Sequence, residues 1–430
     1  MRLGGGASCS LSDEPGPELT GTGAPVRGSA LAPGTTWALA VSFCCVMGVQ
    51  MVSPLLPAMR HALHLSSSQA GWLVGVFSIA ALAGTFPAGL VADRLGPRVV
   101  LLPSLVVYGV TGLSIPLVHT YSALLALRAL QGLGYAVMVP LTITVLISAA
   151  RPERIALVQG RRVMVMSTAE FLLPLISGLL LTFTGHWQVA YAMFVVPVLL
   201  AMWSWRMSGY LGRESRANRL DRAFATRLLL AAREPAVTSL LVVGFVRWWL
   251  KYSFFTYGPL FLSGTIHLGA GVIGTVIAAQ GLLSAAVASQ SGRLGLGWLG
   301  RAAFVASVAG MGLALAGLAA ARSVDIAVAC CALLGAFDGV VGSLMNALVA
   351  VLPAAEVRTT IVAVSGTTRN LGKAVAPPLA GSIIAALGYR PGLVVVATVG
   401  IAAPAYLFPL LSRRLNARGA PLPGLAELEP

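Results

Sequence analysis

From Trp37 onward the chain alternates long apolar runs with short polar breaks. A helix needs about 20 mostly apolar residues to cross the hydrocarbon of a bilayer. Twelve runs meet that length, at residues 36–58, 70–92, 99–118, 121–149, 163–184, 187–206, 237–263, 270–291, 302–321, 324–352, 359–386 and 391–411. The runs are too long and too continuous for barrel strands, which are ~10 residues of alternating polarity. The pattern therefore predicts an all-α polytopic membrane protein with twelve spans, here numbered 1 to 12. Residues 1–34, rich in Gly, Pro, Ser and Thr, read as a disordered tail and lack the layout of a secretory signal.

Composition agrees with that pattern. Of 430 residues 57% are hydrophobic and 10% charged, and the mean hydropathy is +0.85. Soluble domains carry about 25% charged residues, so a soluble fold is a poor fit. The five cysteines have no metal-ligand spacing, and no metal or cofactor is expected. A net charge of +15 would suggest nucleic acid in a soluble protein. Here the placement of the cations accounts for it. With the N-terminus inside, 21 arginines fall in cytoplasmic tails and loops, among them Arg161 and Arg162, and three (Arg60, Arg322, Arg390) fall outside. Both termini are then cytoplasmic. The Arg-over-Lys bias, with abundant Ala and Gly, points to a bacterial inner (cytoplasmic) membrane. The expected organisation is a tail at 1–34, a six-helix bundle at 35–206, a cytoplasmic linker at 207–236, a second six-helix bundle at 237–412 and a tail at 413–430. Within the linker, the stretch from Arg222 to Arg233 suits an interfacial helix.

The halves echo each other. His64-Leu65, Gly71, Gly89 and Arg98 recur 203 residues later as His267-Leu268, Gly274, Gly292 and Arg301. Gly132 pairs with Gly339, and Gly160 with Gly366. Six spans per half make this a parallel repeat.

After the second span stands Gly89-Leu-Val-Ala-Asp93-Arg94-Leu-Gly96-Pro97-Arg98. Its glycines allow close helix approach, and Asp93 suits the N-terminus of the third helix. The segment resembles the loop 2–3 signature of the major facilitator superfamily, with Pro97 replacing the usual basic residue. The second copy has Leu296 where the acid would be. The resemblance makes Gly89, Asp93, Arg94, Gly96 and Arg98 a cytoplasmic gate. Arg128-Ala-Leu-Gln131-Gly132 resembles the Arg-x-x-Gln-Gly motif of proton-coupled members. Pro174 and Gly178 match a remnant of the Gly-Pro motif that resembles antiporters, with Leu173 and Ser177 departing from it. Over residues 36–412 the chain resembles the twelve-helix drug:proton antiporter family. That implies two six-helix bundles around a central cavity with alternating access.

Seven ionisable residues lie well inside the runs: Arg128, Glu170, Arg247, Lys251, Asp338, Arg369 and Lys373. They fall in spans 4, 5, 7, 10 and 11, while spans 3, 6, 9 and 12, the lipid-facing ones in that fold, hold none. A charge in hydrocarbon costs ~2.5–3.5 kcal/mol even on a lenient scale, so this confinement implies a polar pathway. Arg247 and Lys251 share a helix face, as do Arg369 and Lys373. Together they predict a basic centre that favours anionic or zwitterionic cargo. Structural pairing of these charges competes with that reading. Trp249 and Tyr252 flank Lys251 and are candidate cargo contacts, and Gln50 and Gln280 are neutral polar groups at similar depth. Glu170, Asp338 and Arg128 are the proton-coupling candidates. The Gly-x-x-x-x-Gly-Lys-Ser/Thr motif that ATP drive would need does not occur.

The leading expectation is a secondary transporter, not an enzyme, which exports a small drug-like, metabolite or siderophore-like molecule against a flow of protons. Proton-coupled uptake of an organic anion is the alternative, and a receptor or scaffold without flux is a third. The expected partners are a small-molecule cargo, protons and the lipid bilayer, with no nucleic acid and the chain acting as a monomer.

Overall fold

The computed structural model describes residues 33–95, 97–148, 154–206, 235–295, 297–351 and 358–417. Among them the regular structure is entirely helical. Span 1 is Pro33–Gln50, a short 3-10 turn at Ser53–Leu55 and Leu56–Ala62. Spans 2 to 5 are Ser67–Leu95, Pro97–Ser114, Tyr121–Ser148 and Ile155–Thr184. Span 6 joins Trp187–Ala190, Tyr191–Phe194 and Val195–Arg206. Spans 7 to 12 are Pro235–Gly264, Ala270–Ser291, Trp298–Ala320, Val324–Val351, Arg358–Leu387 and Tyr389–Ala417. Eight are long and apolar enough to cross a membrane, and spans 6 and 12 hold shorter apolar helices. The other two, spans 7 and 11, are the carriers of the cation pairs.

Two ends differ from their sequence-based limits. Span 5 begins at Ile155 rather than 163, so Arg161 and Arg162 lie on a helix and not in a loop. The apolar count ended at these charges. The helix continues because Arg162 turns inward, where its residue is only 7% exposed. Span 12 runs on to Ala417 past the apolar stretch. The central stretch with Arg222 to Arg233 lies outside the described residues, as does Gly96 of the loop signature.

The repeat shows in the backbone. Among the described residues the non-glycine positions with positive φ are His64, at 51°, and His267, at 63°. Side chains rarely adopt this region. These two occupy matching corners, before spans 2 and 8. Gly132 of span 4 packs on the Phe77 carbonyl of span 2, and Gly339 of span 10 packs on the Ser284 carbonyl of span 8.

The two ends of the bundle are packed differently. One end carries Pro33 and Ala417 and is called the tail end; the other is the far end. Toward the far end, glycines of one half press on the backbone of the other. A Cβ on Gly178 would stand 2.7 Å from the Ala270 carbonyl oxygen, and one on Gly75 would strike the Pro378 ring. The Tyr257 hydroxyl sits in a notch formed by Gly71 and Gly381. It shares its one proton between the carbonyl oxygens of Ser67, at 3.1 Å, and Pro377, at 2.8 Å. Ser53 Oγ donates to the Phe255 carbonyl at 2.5 Å, and Arg60 Nη1 to the Tyr389 hydroxyl at 2.7 Å. Toward the tail end the corresponding glycines stand clear. No described atom would meet a Cβ within 4 Å at Gly89, Gly160 or Gly292, and at Gly366 only the Arg369 guanidinium comes near. Spans 2, 5, 8 and 11 thus meet closely at the far end, and the described glycines toward the tail end make no such contact.

Candidate functional site

At mid-depth an ionic chain crosses from one half to the other. Asp338 of span 10 is fully buried, and three donors reach it. Arg247 Nε lies 2.6 Å from Oδ1, while Lys251 Nζ at 3.1 Å and Ser284 Oγ at 3.0 Å share Oδ2. The i, i+4 spacing places Arg247 and Lys251 one above the other on span 7, so one carboxylate binds both. Lys251 Nζ then reaches across to Glu170 Oε2 of span 5, at 3.4 Å. Lys251 therefore holds an acid from each half. The two acids differ in setting. The Asp338 side chain has no exposure, whereas that of Glu170 is 30% exposed and has one ionic partner.

Beside this chain lies a cavity of about 70 Å³, lined by Cys45, Gln50, Phe77, Tyr135, Met166, Glu170, Trp248, Tyr252 and Lys373, among others. The Lys373 ammonium lies 4.1 Å from the Trp248 ring centroid and 5.8 Å from that of Tyr252. Aromatic faces stabilise a cation but leave its N–H donors free for an acceptor. The Trp248 indole N–H and the Gln50 side-chain oxygen are buried without partners. Burying an unpaired polar group costs about 1–3 kcal/mol, so such groups mark places where a ligand completes the bonding. Larger clefts of about 520 and 450 Å³ lie at the far end, lined by Pro57 and His61 with Trp187 or Arg60, and stand apart from the ionic chain.

The other candidate residues are spread more widely. Arg128 bonds to the carbonyls of Leu73 (3.0 Å) and Gly48 (2.8 Å) and to the Gln131 side chain (2.8 Å), with its guanidinium over Phe77. It ties spans 1, 2 and 4 together within one half, and its bonds go to neutral oxygens rather than to either acid. Trp249 donates to the Val396 carbonyl at 3.1 Å and stacks on Phe245, so it packs against span 12. Its neighbour Trp248 is the tryptophan that faces the cavity. Arg369 is partly buried and donates to the Ser365 carbonyl at 3.2 Å. Gln280 is buried in span 8 where Gly335 of span 10 packs on its backbone. Of the loop signature, Gly89 lies in the open tail-end region, and the side chains of Asp93, Arg94 and Arg98 are outside the described set.

Trp248, Ser284 and Tyr135 join the site without being singled out by the sequence. Trp248 lies four residues before Tyr252, so a helical wheel through Tyr252 would have found it. Ser284 carries no such signal, because its role depends on how span 8 packs against span 10.

Residues 38–377 match the Major Facilitator Superfamily. A 106-residue stretch is 33% identical to the bacillibactin exporter of Bacillus subtilis (strain 168), covering 24% of this chain and 26% of that protein. A 168-residue stretch is 27% identical to the tetracenomycin C resistance and export protein of Streptomyces glaucescens, covering 39% and 30%. The chain thus spans less than two thirds of the length of these curated relatives. Among solved structures, a bacterial homolog of the human lysosomal transporter Spinster, inward-facing and unoccupied, superposes with a TM-score of 0.74. That match covers 91% of this chain and 100% of the other at 15% identity, which speaks to the fold alone. Twelve helical spans in two echoing halves, a polar centre between them and a family match across most of the length agree: the chain belongs to the Major Facilitator Superfamily of transporters.

Proposed function

We propose that this transporter is a proton-coupled exporter of small acidic or amphipathic molecules, loaded from the cytoplasm. The observation that carries the reading is the Glu170–Lys251–Asp338 chain, whose Glu170–Lys251 contact bridges the two halves. Glu170 is the exchangeable partner, since it is part-open and held once. Asp338 is the fixed one, since three donors hold it. A proton on Glu170 removes its pull on Lys251 and loosens one tie between the halves. An acidic cargo at Lys373 competes for the same positive field. Proton arrival and cargo departure are thereby linked through one lysine. With the Arg-rich end read as cytoplasmic, the sealed far end supports an inward-facing form of a carrier in an inner membrane. Exporter names among the partial relatives support the direction.

The driving force is adequate. A proton falling through ~100 mV gains ~2.3 kcal/mol, and one pH unit adds ~1.4, which supports roughly 500-fold accumulation of neutral cargo. The test is reconstitution in proteoliposomes with an internal pH dye and a panel of organic anions, siderophores and cationic drugs. Proton flux opposite to cargo flux, lost in Glu170→Gln, is expected. If Glu170→Gln and Asp338→Asn both leave coupled flux unchanged, the mechanism is wrong. Parallel movement of proton and cargo would convert the reading to uptake by symport.

A further inference from the structure

Arg162 lies outside the ionic chain. It sits two helical turns before Glu170 on span 5, and the series Arg162, Met166, Glu170 steps by four along one face. Met166 and Glu170 both line the central cavity, and the helical spacing puts Arg162 beyond that lining, toward the tail end. Its residue is 7% exposed, and its Nε and Nη2 are buried without a hydrogen-bond partner. Gln159, one turn earlier, has an unpartnered buried side-chain nitrogen. Snorkelling would have carried the guanidinium to solvent, and here two of its nitrogens are shut away from it. A buried fork of unpaired N–H donors is shaped for an oxyanion.

The central cavity adds a size argument. At about 70 Å³ it is small beside the ~300–1,000 Å³ of ordinary ligand pockets. A larger cargo seats one polar end beside Lys373 and extends its body along span 5 toward the open tail end. Eight residues of helix place Arg162 about 12 Å from the level of Glu170. Phe77, Tyr135 and Met166 line the cavity wall and favour an apolar or aromatic body.

We propose that Arg162, assisted by Gln159, is a second anion subsite, and that the cargo is a diacid whose acidic groups lie about 12 Å apart on an aromatic or apolar frame. The proposal rests on the acidic-cargo reading above, and the test separates the two. The full chain in lipid nanodiscs is titrated with 4,4′-stilbenedicarboxylate, a rigid fluorescent diacid of about this span, and with its monomethyl ester. The wild type is expected to bind the diacid about tenfold more tightly than the ester, a preference typical of one added charge-assisted contact. Arg162→Gln brings the diacid down to the ester's affinity, Arg162→Lys keeps part of the preference, and Lys373→Gln weakens both probes. Arg162→Met melts at or above the wild-type temperature, because the buried Nε and Nη2 have no hydrogen bond to lose. A preference that survives Arg162→Gln overturns the subsite and leaves the acidic-cargo reading standing. So does a fall in melting temperature in Arg162→Met with equal weakening of both probes, which marks a structural arginine. If the wild type binds neither probe, the acidic-cargo reading falls and the subsite with it.

Discussion

Lys251 is the residue on which the centre turns, because it is bonded to an acid of each half. Its value depends on both acids being present. Asp338→Asn leaves Arg247 and Lys251 buried without their carboxylate, and breaking one side of such a cluster costs about 3–5 kcal/mol. That variant is expected to melt well below wild type. Adding Lys251→Met restores much of the melting temperature and none of the gradient-driven transport, which separates folding from coupling. Lys373→Gln behaves differently. Lys373 rests on aromatic faces and has no ion pair among the described residues, so its loss raises the KM for acidic cargo about tenfold while the melting temperature holds or rises. The spacing of Arg247 and Lys251 was readable from the chain, since i, i+4 fixes a shared face whatever the packing. The choice between Trp248 and Trp249 was not. Adjacent residues point about 100° apart, and only the neighbours of span 7 decide which one meets the cavity.

Among the elements, spans 2, 5, 8 and 11 carry the contact between halves. Their far-end meeting is glycine against backbone, so a single methyl group acts there as a wedge. Gly71→Ala would drive a carbon into the Tyr257 hydroxyl and the Pro377 carbonyl. It is expected to part the far end, read as a gain in thiol labelling of a cysteine placed at Ser263. The same change at Gly89, where no described atom lies near, leaves labelling unaltered. Eleven of the twelve helix starts lay within a few residues of the apolar runs, because hydrocarbon thickness sets both. Span 5 broke the rule, since its first turns hold Arg161 and Arg162. Charge count alone treats an inward-facing arginine as loop, and the interior that accepts it exists only once the helices have assembled.

At the scale of the whole molecule, the far-end seal has a polar clasp as well as a packed one. Arg60 holds the Leu65 carbonyl at 3.0 Å and the Tyr389 hydroxyl at 2.7 Å, and Ser67 Oγ lies 3.2 Å from that hydroxyl. The clasp joins the start of the first half to the last span of the second. Removing it with Tyr389→Phe is expected to shift the balance of the two carrier states by ~1–2 kcal/mol, or roughly 5–30-fold. Spin labels across the far end would report a longer distance population. The membrane fold was legible in the sequence because long apolar runs and echoing motifs leave few other solutions. Which end is sealed was not, for that depends on the relative depth of surfaces that each look alike in composition.

The basic centre has one further effect. Arg247, Lys251 and Lys373 share the middle of the bundle with Glu170 and Asp338, so among the described residues there cations outnumber acids. In a medium of low dielectric such an excess repels hydronium and sodium alike. An unloaded carrier is therefore a poor leak: vesicles that contain it without cargo should hold a pH gradient nearly as long as empty ones. On the exchange proposed above, the proton would then enter that centre only as an acidic passenger leaves it.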